Sequence, residues 1–269
     1  MSVFTAEWLD AREPIDHVAR SEHVLSAVAH YFMNDPRLRI TDIGCGTGST
    51  IRALKPFLSN ELDWHLVDND DALLERAKKS LMGDRLVFSL SDMSKSTDVL
   101  FSTEPSLITT SAFLDLVSLK WLESFCHEVT SREIPFYAAL TYDGRAGCEP
   151  EMFKDAQVVA AVNKHQRSDK GFGSALGPDA AAEAIRLFEE SGYIVTQSNS
   201  DWRGDARHRE FQRLLLEGWC AAACEMEPQE SDIFSNWLVD RLQMIEEGTS
   251  SVYVGHVDFF AVPRTQAYL

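Results

Sequence analysis

Short apolar runs alternate along this chain with longer stretches in which apolar residues recur at helical spacing. Runs of this length, rich in Leu, Ile and Val and bounded by polar residues, predict buried strands. Seven strands are predicted, at residues 38–43, 62–67, 86–90, 107–110, 136–141, 193–197 and 252–261. Strands that alternate with helices are typical of a parallel sheet covered on both faces.

The helical stretches lie between these strands. Residues 5–32 predict one opening helix, because Val18, Leu25, Val28 and Phe32 recur at helical spacing and Pro36 follows. Further helices are predicted at residues 49–58, 71–82, 118–131, 178–191, 210–225 and 229–246. The whole chain, residues 1–269, therefore predicts a single α/β domain with an N-terminal helical cap over residues 1–36.

Two connections exceed the usual length inside a compact domain. They span residues 142–178 and 199–251, and the second contains the last two predicted helices. Long connections of this kind are usually functional, so both are predicted to be substrate lids, with a dimer interface left open for the helical insert before the last strand.

Composition is that of a folded soluble protein, with 45% hydrophobic and 25% charged residues. No segment is apolar enough to span a membrane, and the N-terminus lacks the pattern of a secretory signal, so a cytoplasmic protein is expected. The five cysteines lack paired CxxC spacing, which predicts neither disulfides nor a zinc site, and no metal site is expected elsewhere.

The formal net charge is −17. Nucleic-acid binding draws most of its affinity from basic residues that neutralise phosphates, so DNA and RNA are poor substrate candidates. We therefore expect a small-molecule substrate, while the sequence leaves homo-oligomer formation open.

The first strand ends in a glycine-rich stretch, in which Gly44, Gly46 and Gly48 follow Asp42. Closely spaced glycines let the backbone approach a ligand, and the helix that follows offers free N–H groups. A dinucleotide fingerprint would require a third glycine where this chain has Ser49, so a nicotinamide cofactor is disfavoured.

This stretch resembles motif I of class I S-adenosylmethionine-dependent methyltransferases, an acidic residue, one apolar residue and then G-x-G-x-G. The resemblance implies S-adenosyl-L-methionine as cofactor, bound by Asp42 and the glycine loop, with Cys45 lying beside it. It also implies a Rossmann-like, doubly wound seven-stranded sheet whose last strand is antiparallel, with helices on both faces.

The resemblance continues at the ends of the next three strands. In the family, an acid about twenty residues after the last glycine accepts hydrogen bonds from the cofactor ribose. The implied ribose ligand is Asp68, Asn69 would lie against the adenine, Asp92 and Met93 would contact it, and Ser111, Ala112 and Phe113 would hold the methionine moiety. Asp70 and Asp71 are instead interpreted as the cap and first-turn acid of a helix.

On the substrate side, methyl transfer needs the acceptor held against the methyl carbon, and a general base only if the nucleophile keeps its proton. Tyr142 and Asp143 follow the fifth strand and are predicted to act at the ligand-binding edge of the sheet. His165 is the predicted base, and Arg167 and Lys170 could bind an anionic group of the substrate; a solvated polar loop is the alternative.

Other residues carry two interpretations. Asp16 and Arg20 could close over the cofactor, but a surface ion pair is favoured. Trp202, His208 and Trp219 could line the substrate pocket or pack in the core.

The second half of the chain resembles a group of stand-alone bacterial methyltransferases that act on small molecules. This includes the stretches around His165, Gly177 and His256. An Asn-Pro-Pro-Tyr-type tetrapeptide is absent after the fourth strand, which disfavours an amino group of adenine, cytosine or glutamine as acceptor. The function predicted is methyl transfer to an O, N or C nucleophile; a protein that binds S-adenosylmethionine for other chemistry or for regulation is the alternative.

Overall fold

The computed structural model describes residues 5–59, 61–81 and 85–264. The first four residues of the predicted cap, and Met82 at the predicted end of a helix, lie outside these ranges. The strands are β1 (Arg37–Ile43), β2 (Glu61–Asp68), β3 (Arg85–Leu90), β4 (Leu107–Ser111), β5 (Phe136–Glu149), β6 (Tyr193–Asn199), β7 (Trp202–Gly204) and β8 (Ser251–Pro263). The helices are α1 (Ala6–Ala19), α2 (Glu22–Tyr31), α3 (Ser49–Leu54), α4 (Asp71–Ser80), α5 (Leu119–Ser131), α6 (Asp155–Gln166), α7 (Ala180–Glu190), α8 (Arg209–Met226) and α9 (Ser231–Glu247).

These strands form one mixed sheet in the order β3-β2-β1-β4-β5-β8-β6, with β7 paired to β8. The first five strands run parallel, whereas β8 is antiparallel to both β5 and β6. The order reverses between β1 and β4, which places the ends of those two strands at the switch point where open α/β sheets bind ligands. The predicted doubly wound sheet with an antiparallel last strand is confirmed, and β7 adds a short edge strand.

Apolar residues on both faces of the sheet explain the two helical layers. In β8, Phe259 and Ala261 pack in the cluster with α5 and α7, while Phe260 and Val262 pack in the cluster with α2, α8 and α9. A strand buried on both sides reads as a continuous apolar run, which is why these strands were visible in the sequence.

The single predicted helix over residues 5–32 is wrong, because it is divided into α1 and α2. Arg20 adopts extended backbone angles after α1, and the Ser21 hydroxyl accepts a hydrogen bond from Val24 N–H to cap α2. The division also turns the Arg20 side chain into the interior, where it is 3% exposed.

The connection over residues 142–178 is more regular than predicted. Strand β5 continues through it to Glu149, paired with β8, and α6 follows. The predicted long connection is therefore helical around His165, because Asn163 and His165 lie in the last turn of α6. Within the described ranges no helix is long and apolar enough to cross a membrane.

Candidate active site

The glycine loop forms a tight turn between β1 and α3. Gly44, Gly46 and Gly48 have φ values of +62°, +52° and +85°, which favour glycine. The Gly44 N–H donates to Val67 O at 2.9 Å, and this contact fixes the loop against the end of β2. A side chain at Gly44 would also meet the Phe113 ring at 2.9 Å, so the loop and the end of β4 are packed without spare room.

Asp68, at the end of β2, connects the glycine loop to the next helix. Its carboxylate accepts hydrogen bonds from Gly46 N–H at 2.8 Å and Asp70 N–H at 3.0 Å, and the residue is 7% exposed. Burial raises the pKa of Asp68, while these hydrogen bonds oppose that shift. Because a carboxylate offers about four lone-pair positions, two remain for the hydroxyls of a ribose. Asp70 caps α4 by accepting from Ala72 N–H and Leu73 N–H, as predicted.

Asp42 lies fully buried at the base of the glycine loop. Thr109 Oγ1 donates to its Oδ1 at 2.8 Å, but Oδ2 has no hydrogen-bond partner within the described residues. Burial raises the pKa of Asp42 to about 7. The charge of Arg20 already opposes this rise in pKa, and a cationic ligand close to the glycine loop, such as a sulfonium that also carries an ammonium group, would oppose it further.

The predicted adenine contacts lie at the end of β3. The Asp92 carboxylate is partly exposed, accepts from Ser94 N–H and Oγ, and lies 2.8 Å from Lys95 Nζ. Met93 is buried, and its carbonyl accepts from Trp121 Nε1 at 2.7 Å. Asn69, at the end of β2, is exposed, so it is free to meet an adenine edge.

The residues after β4 divide between the core and a cavity. Ala112 adopts a φ of +49° and lines the cavity, whereas Phe113 points into the core against Trp121 and Phe172, with ring centroids 5.8 and 5.7 Å away. Ser111 Oγ lies 3.2 Å from Thr50 Oγ1 at the start of α3. The end of β4 therefore faces both the glycine loop and the cavity.

Asp16 and Arg20 are buried, so the surface ion pair favoured for them is wrong. Arg20 Nη2 donates to Ser111 Oγ at 2.8 Å, which places a buried guanidinium behind the predicted methionine subsite. Asp16 instead pairs with Arg12, at 3.2 Å between Oδ2 and Nε. Asp258 accepts from Ser21 N–H and Leu140 N–H, and so joins the turn between α1 and α2 to β5 and β8.

Helix α1 covers the glycine loop. Leu9 Cδ1 lies 3.6 Å from the position that a Cβ on Gly46 would take. Two ion pairs hold the helix there: Arg76 Nη2 lies 2.6 Å from Asp10 Oδ1, and Arg52 Nη2 lies 2.8 Å from Glu13 Oε2. The N-terminal segment is thus placed as a cap over the predicted cofactor site.

A cavity of about 550 Å³ lies beside the ends of β4 and β5, under α1 and against α6 and α8. Its walls are mostly aromatic and aliphatic, with a few polar groups, the composition usual for small-molecule sites. The polar and aromatic residues that line it are Trp8, Arg12, Asp115, Tyr142, His165, Trp202, Glu217, Trp219 and His256, among others. Trp202 and Trp219 are therefore cavity residues, whereas His208 lines a separate surface cavity.

Two of the three predicted catalytic residues line this cavity. Tyr142 donates from its hydroxyl to Asn163 Oδ1 at 2.8 Å, and burial raises its pKa. His165 is held between Glu225, 3.3 Å from Nε2, and Lys170, 3.3 Å from Nδ1, and burial lowers its pKa. Asp143 lies outside the cavity lining and pairs with Arg145.

The predicted substrate-binding cations are both outside the cavity lining. Arg167 Nη2 pairs with Asp179 at 2.9 Å on a largely exposed surface. Lys170 is partly buried against His165, and burial lowers its pKa.

Sequence reasoning did not single out two charged residues that line the cavity. Arg12 comes from α1, and Asp115 follows β4. Asp115 is 7% exposed, its Oδ1 lacks a partner within the described part of the chain, and burial raises its pKa to about 6. The only sequence signal for Asp115 was its place just after the fourth predicted strand.

Known proteins share this fold. A carboxy-S-adenosyl-L-methionine synthase from Trichodesmium erythraeum is 23% identical over 173 residues, which cover 61% of this chain and 68% of that protein. The cyclopropane-fatty-acyl-phospholipid synthase-like protein from Lactobacillus casei is 12% identical with a TM-score of 0.54, over 94% of this chain and 91% of that one. The cyclopropane synthase MmaA2 from Mycobacterium tuberculosis is 12% identical with a TM-score of 0.52, over 96% and 94%. No protein-family model matches the chain.

With the strand order, these likenesses show that the chain has the fold of class I S-adenosylmethionine-dependent methyltransferases. The predicted resemblance is confirmed at the level of the fold.

Proposed function

We propose that this protein is an enzyme that transfers a methyl group from S-adenosyl-L-methionine to a small molecule bound in the cavity beside β4. The observation that carries the proposal is the position of Ala112, which lines the cavity at the switch point of the sheet while its neighbours Ser111 and Phe113 contact the glycine-loop region. A cofactor on the glycine loop and a methyl acceptor in the cavity would then meet at the end of β4.

The chain offers a partner for each part of the cofactor. Asp68 would bind the ribose, Asp92, Met93 and Asn69 would contact the adenine, and Asp42 would neutralise positive charge. When bound, the cofactor supplies an electrophilic methyl group and leaves as S-adenosylhomocysteine. Helix α1 excludes water from this region because Leu9 and its flanking ion pairs close over the loop.

For a nucleophile that keeps its proton, we place the proton acceptor at Asp115. Its Oδ1 lies in the cavity wall and has no hydrogen-bond partner among the residues that the structure describes, so it can accept from a bound hydroxyl or amine. His165 is the second candidate because it lines the same cavity, although both of its ring nitrogens lie near other side chains.

The transfer is tested with methyl-labelled S-adenosylmethionine and a protein-free metabolite extract, followed by mass spectrometry. We expect S-adenosylhomocysteine to form in step with one labelled small molecule. Asp115→Asn should lower turnover with little change in cofactor affinity, and His165→Asn is the matched comparison. Tight cofactor binding without any labelled product would favour the alternative, a protein that binds S-adenosylmethionine for other chemistry or regulation.

A further inference from the structure

Among the described residues that line the cavity, one carries a permanent positive charge. Arg12 is the only arginine or lysine among the described residues that line it, and its side chain is 12% exposed. The histidines there do not add charge at neutral pH, because burial lowers the pKa of His256 to about 3 and also lowers that of His165. Arg12 is therefore the residue of this lining that can form an ion pair with an anionic ligand at neutral pH.

Arg12 is oriented for such a ligand. Its Nε faces Asp16 Oδ2 at 3.2 Å, and its guanidinium lies over the Trp202 ring, 5.6 Å from the centroid. Across residues 5–59, 61–81 and 85–264, Asp16 supplies the only carboxylate within 4.0 Å of it. The two terminal nitrogens thus keep donors for an incoming group, and an arginine fork matches a carboxylate through two parallel bonds.

The acids near Arg12 do not satisfy those donors. Glu217 also lines the cavity, but both of its oxygens accept from Arg213 Nη1, at 3.0 and 2.9 Å. The charge of Arg12 opposes the rise in the pKa of Asp115, but the ion pair that Arg12 forms within 4.0 Å among the described residues is with Asp16. The cavity therefore presents Arg12 as a cation with spare donors.

Aromatic rings surround the same space. Trp8 meets Trp202 edge to face at 5.9 Å, Trp202 lies 4.4 Å from the His256 ring, and Trp219 and Tyr142 complete the lining. Flat faces and edges of this kind pack well on another aromatic ring. About 550 Å³ is enough for a molecule of one or two rings.

We propose that the methyl acceptor is a small aromatic acid, with its carboxylate on Arg12 and its ring among the tryptophans. The role of this molecule as methyl acceptor rests on the proposed function. The preference of the cavity for binding an aromatic acid does not depend on it. An aromatic acid uses the spare donors of Arg12 and the aromatic walls at once, whereas a neutral or cationic ring would leave those donors unused and Asp16 as the only carboxylate paired with Arg12 among the described residues.

Three matched probes test this preference by calorimetry and tryptophan fluorescence, with and without S-adenosylhomocysteine: para-hydroxybenzoate, para-hydroxybenzyl alcohol and tyramine. The acid should bind at least about tenfold more tightly than the alcohol, since it gains a charge-assisted pair, and tyramine should bind most weakly. Arg12→Gln should abolish the preference, and Arg186→Gln, in a surface ion pair, should leave it unchanged.

Arg12→Gln leaves Asp16 buried without its partner and could fail to fold. The double variant Arg12→Gln with Asp16→Asn removes both charges, and it should fold and lose the preference for the acid over the alcohol. Equal binding of the probes by the native protein, or an acid preference retained in the double variant, would overturn the proposal. Failure of S-adenosylhomocysteine to bind would instead count against the proposed function. The acid preference would still be tested in that case, because the three probes are also compared without S-adenosylhomocysteine.

Discussion

Replacing Asp68 should weaken both the fold and the binding of S-adenosylmethionine. The carboxylate holds Gly46 N–H and Asp70 N–H and is nearly buried. Each hydrogen bond to a charged group contributes about 1.5–3 kcal/mol. Asp68→Asn keeps one acceptor oxygen, so we expect a loss of about 2 kcal/mol in the free energy of unfolding, or about 4 °C in Tm for a chain of this size.

The same substitution should cost cofactor affinity separately. A carboxylate can accept from both ribose hydroxyls, whereas an amide accepts from one and places its NH2 against the other. We expect S-adenosylmethionine to bind about 30- to 100-fold more weakly, which corresponds to about 2–3 kcal/mol. Isothermal titration gives the affinity, and thermal unfolding gives the stability.

Asp70→Ala is the matched control, because it removes the cap of α4 beside Asp68 but leaves every predicted cofactor contact in place. It should cost about 1 kcal/mol of stability and leave the affinity near that of the native protein. If Asp68→Asn were destabilised but bound S-adenosylmethionine with native affinity, Asp68 would be a purely structural residue and the proposed cofactor position would be wrong.

Three further predictions use other parts of the structure. Gly46→Ala should reduce cofactor affinity more than Gly192→Ala, since both residues have positive φ and room for a Cβ but, of the two, Gly46 lies at the proposed cofactor site; equal affinities would contradict this. Arg241→Met breaks a buried ion pair and should lower the free energy of unfolding by about 3–5 kcal/mol, against less than about 1 kcal/mol for Arg186→Met on the surface, as chemical denaturation would show. S-adenosylmethionine binding at pH 6.5 should release about 0.8 of a proton from Asp42, measured by calorimetry in buffers of different ionisation enthalpy, and Asp42→Asn should release none.

The sign of the last prediction follows from the direction of the shift. The pKa of Asp42 in the fold is about 7, above its ordinary value of 3.8. The contribution of Asp42 to the free energy of unfolding is therefore most favourable at low pH, and it is lost as the pH rises through 7. A bound cation stabilises the ionised form, so cofactor binding expels the proton. Proton uptake on binding would contradict this placement of positive charge.

Local pattern was enough to predict the sheet and the glycine loop. A strand buried on both faces is a continuous apolar run, and a turn with positive φ at Gly44, Gly46 and Gly48 needs glycine. These features depend on neighbours in sequence, so one chain reveals them. The cap at Asp70 was predicted for the same reason.

The rest depends on contacts between distant segments. The break between α1 and α2 is fixed by Arg20 and Ser21, whose partners Ser111 and Asp258 lie far along the chain. Helix α6 was missed because most of its apolar residues form one continuous run at residues 158–162 instead of recurring at helical spacing, and because the preceding strand continues past its expected end. The cavity unites residues from α1, β5, α6 and α8 with the segment after β4, and no spacing in the sequence relates Arg12 to Asp115.

The most direct test of the account is a calorimetric titration of the purified protein with S-adenosylmethionine, S-adenosylhomocysteine and NAD in parallel. We predict micromolar binding of the two sulfur ligands, weakened by Asp68→Asn, and no binding of NAD. Binding of NAD without either sulfur ligand would contradict S-adenosylmethionine as the cofactor and favour a nucleotide-dependent oxidoreductase.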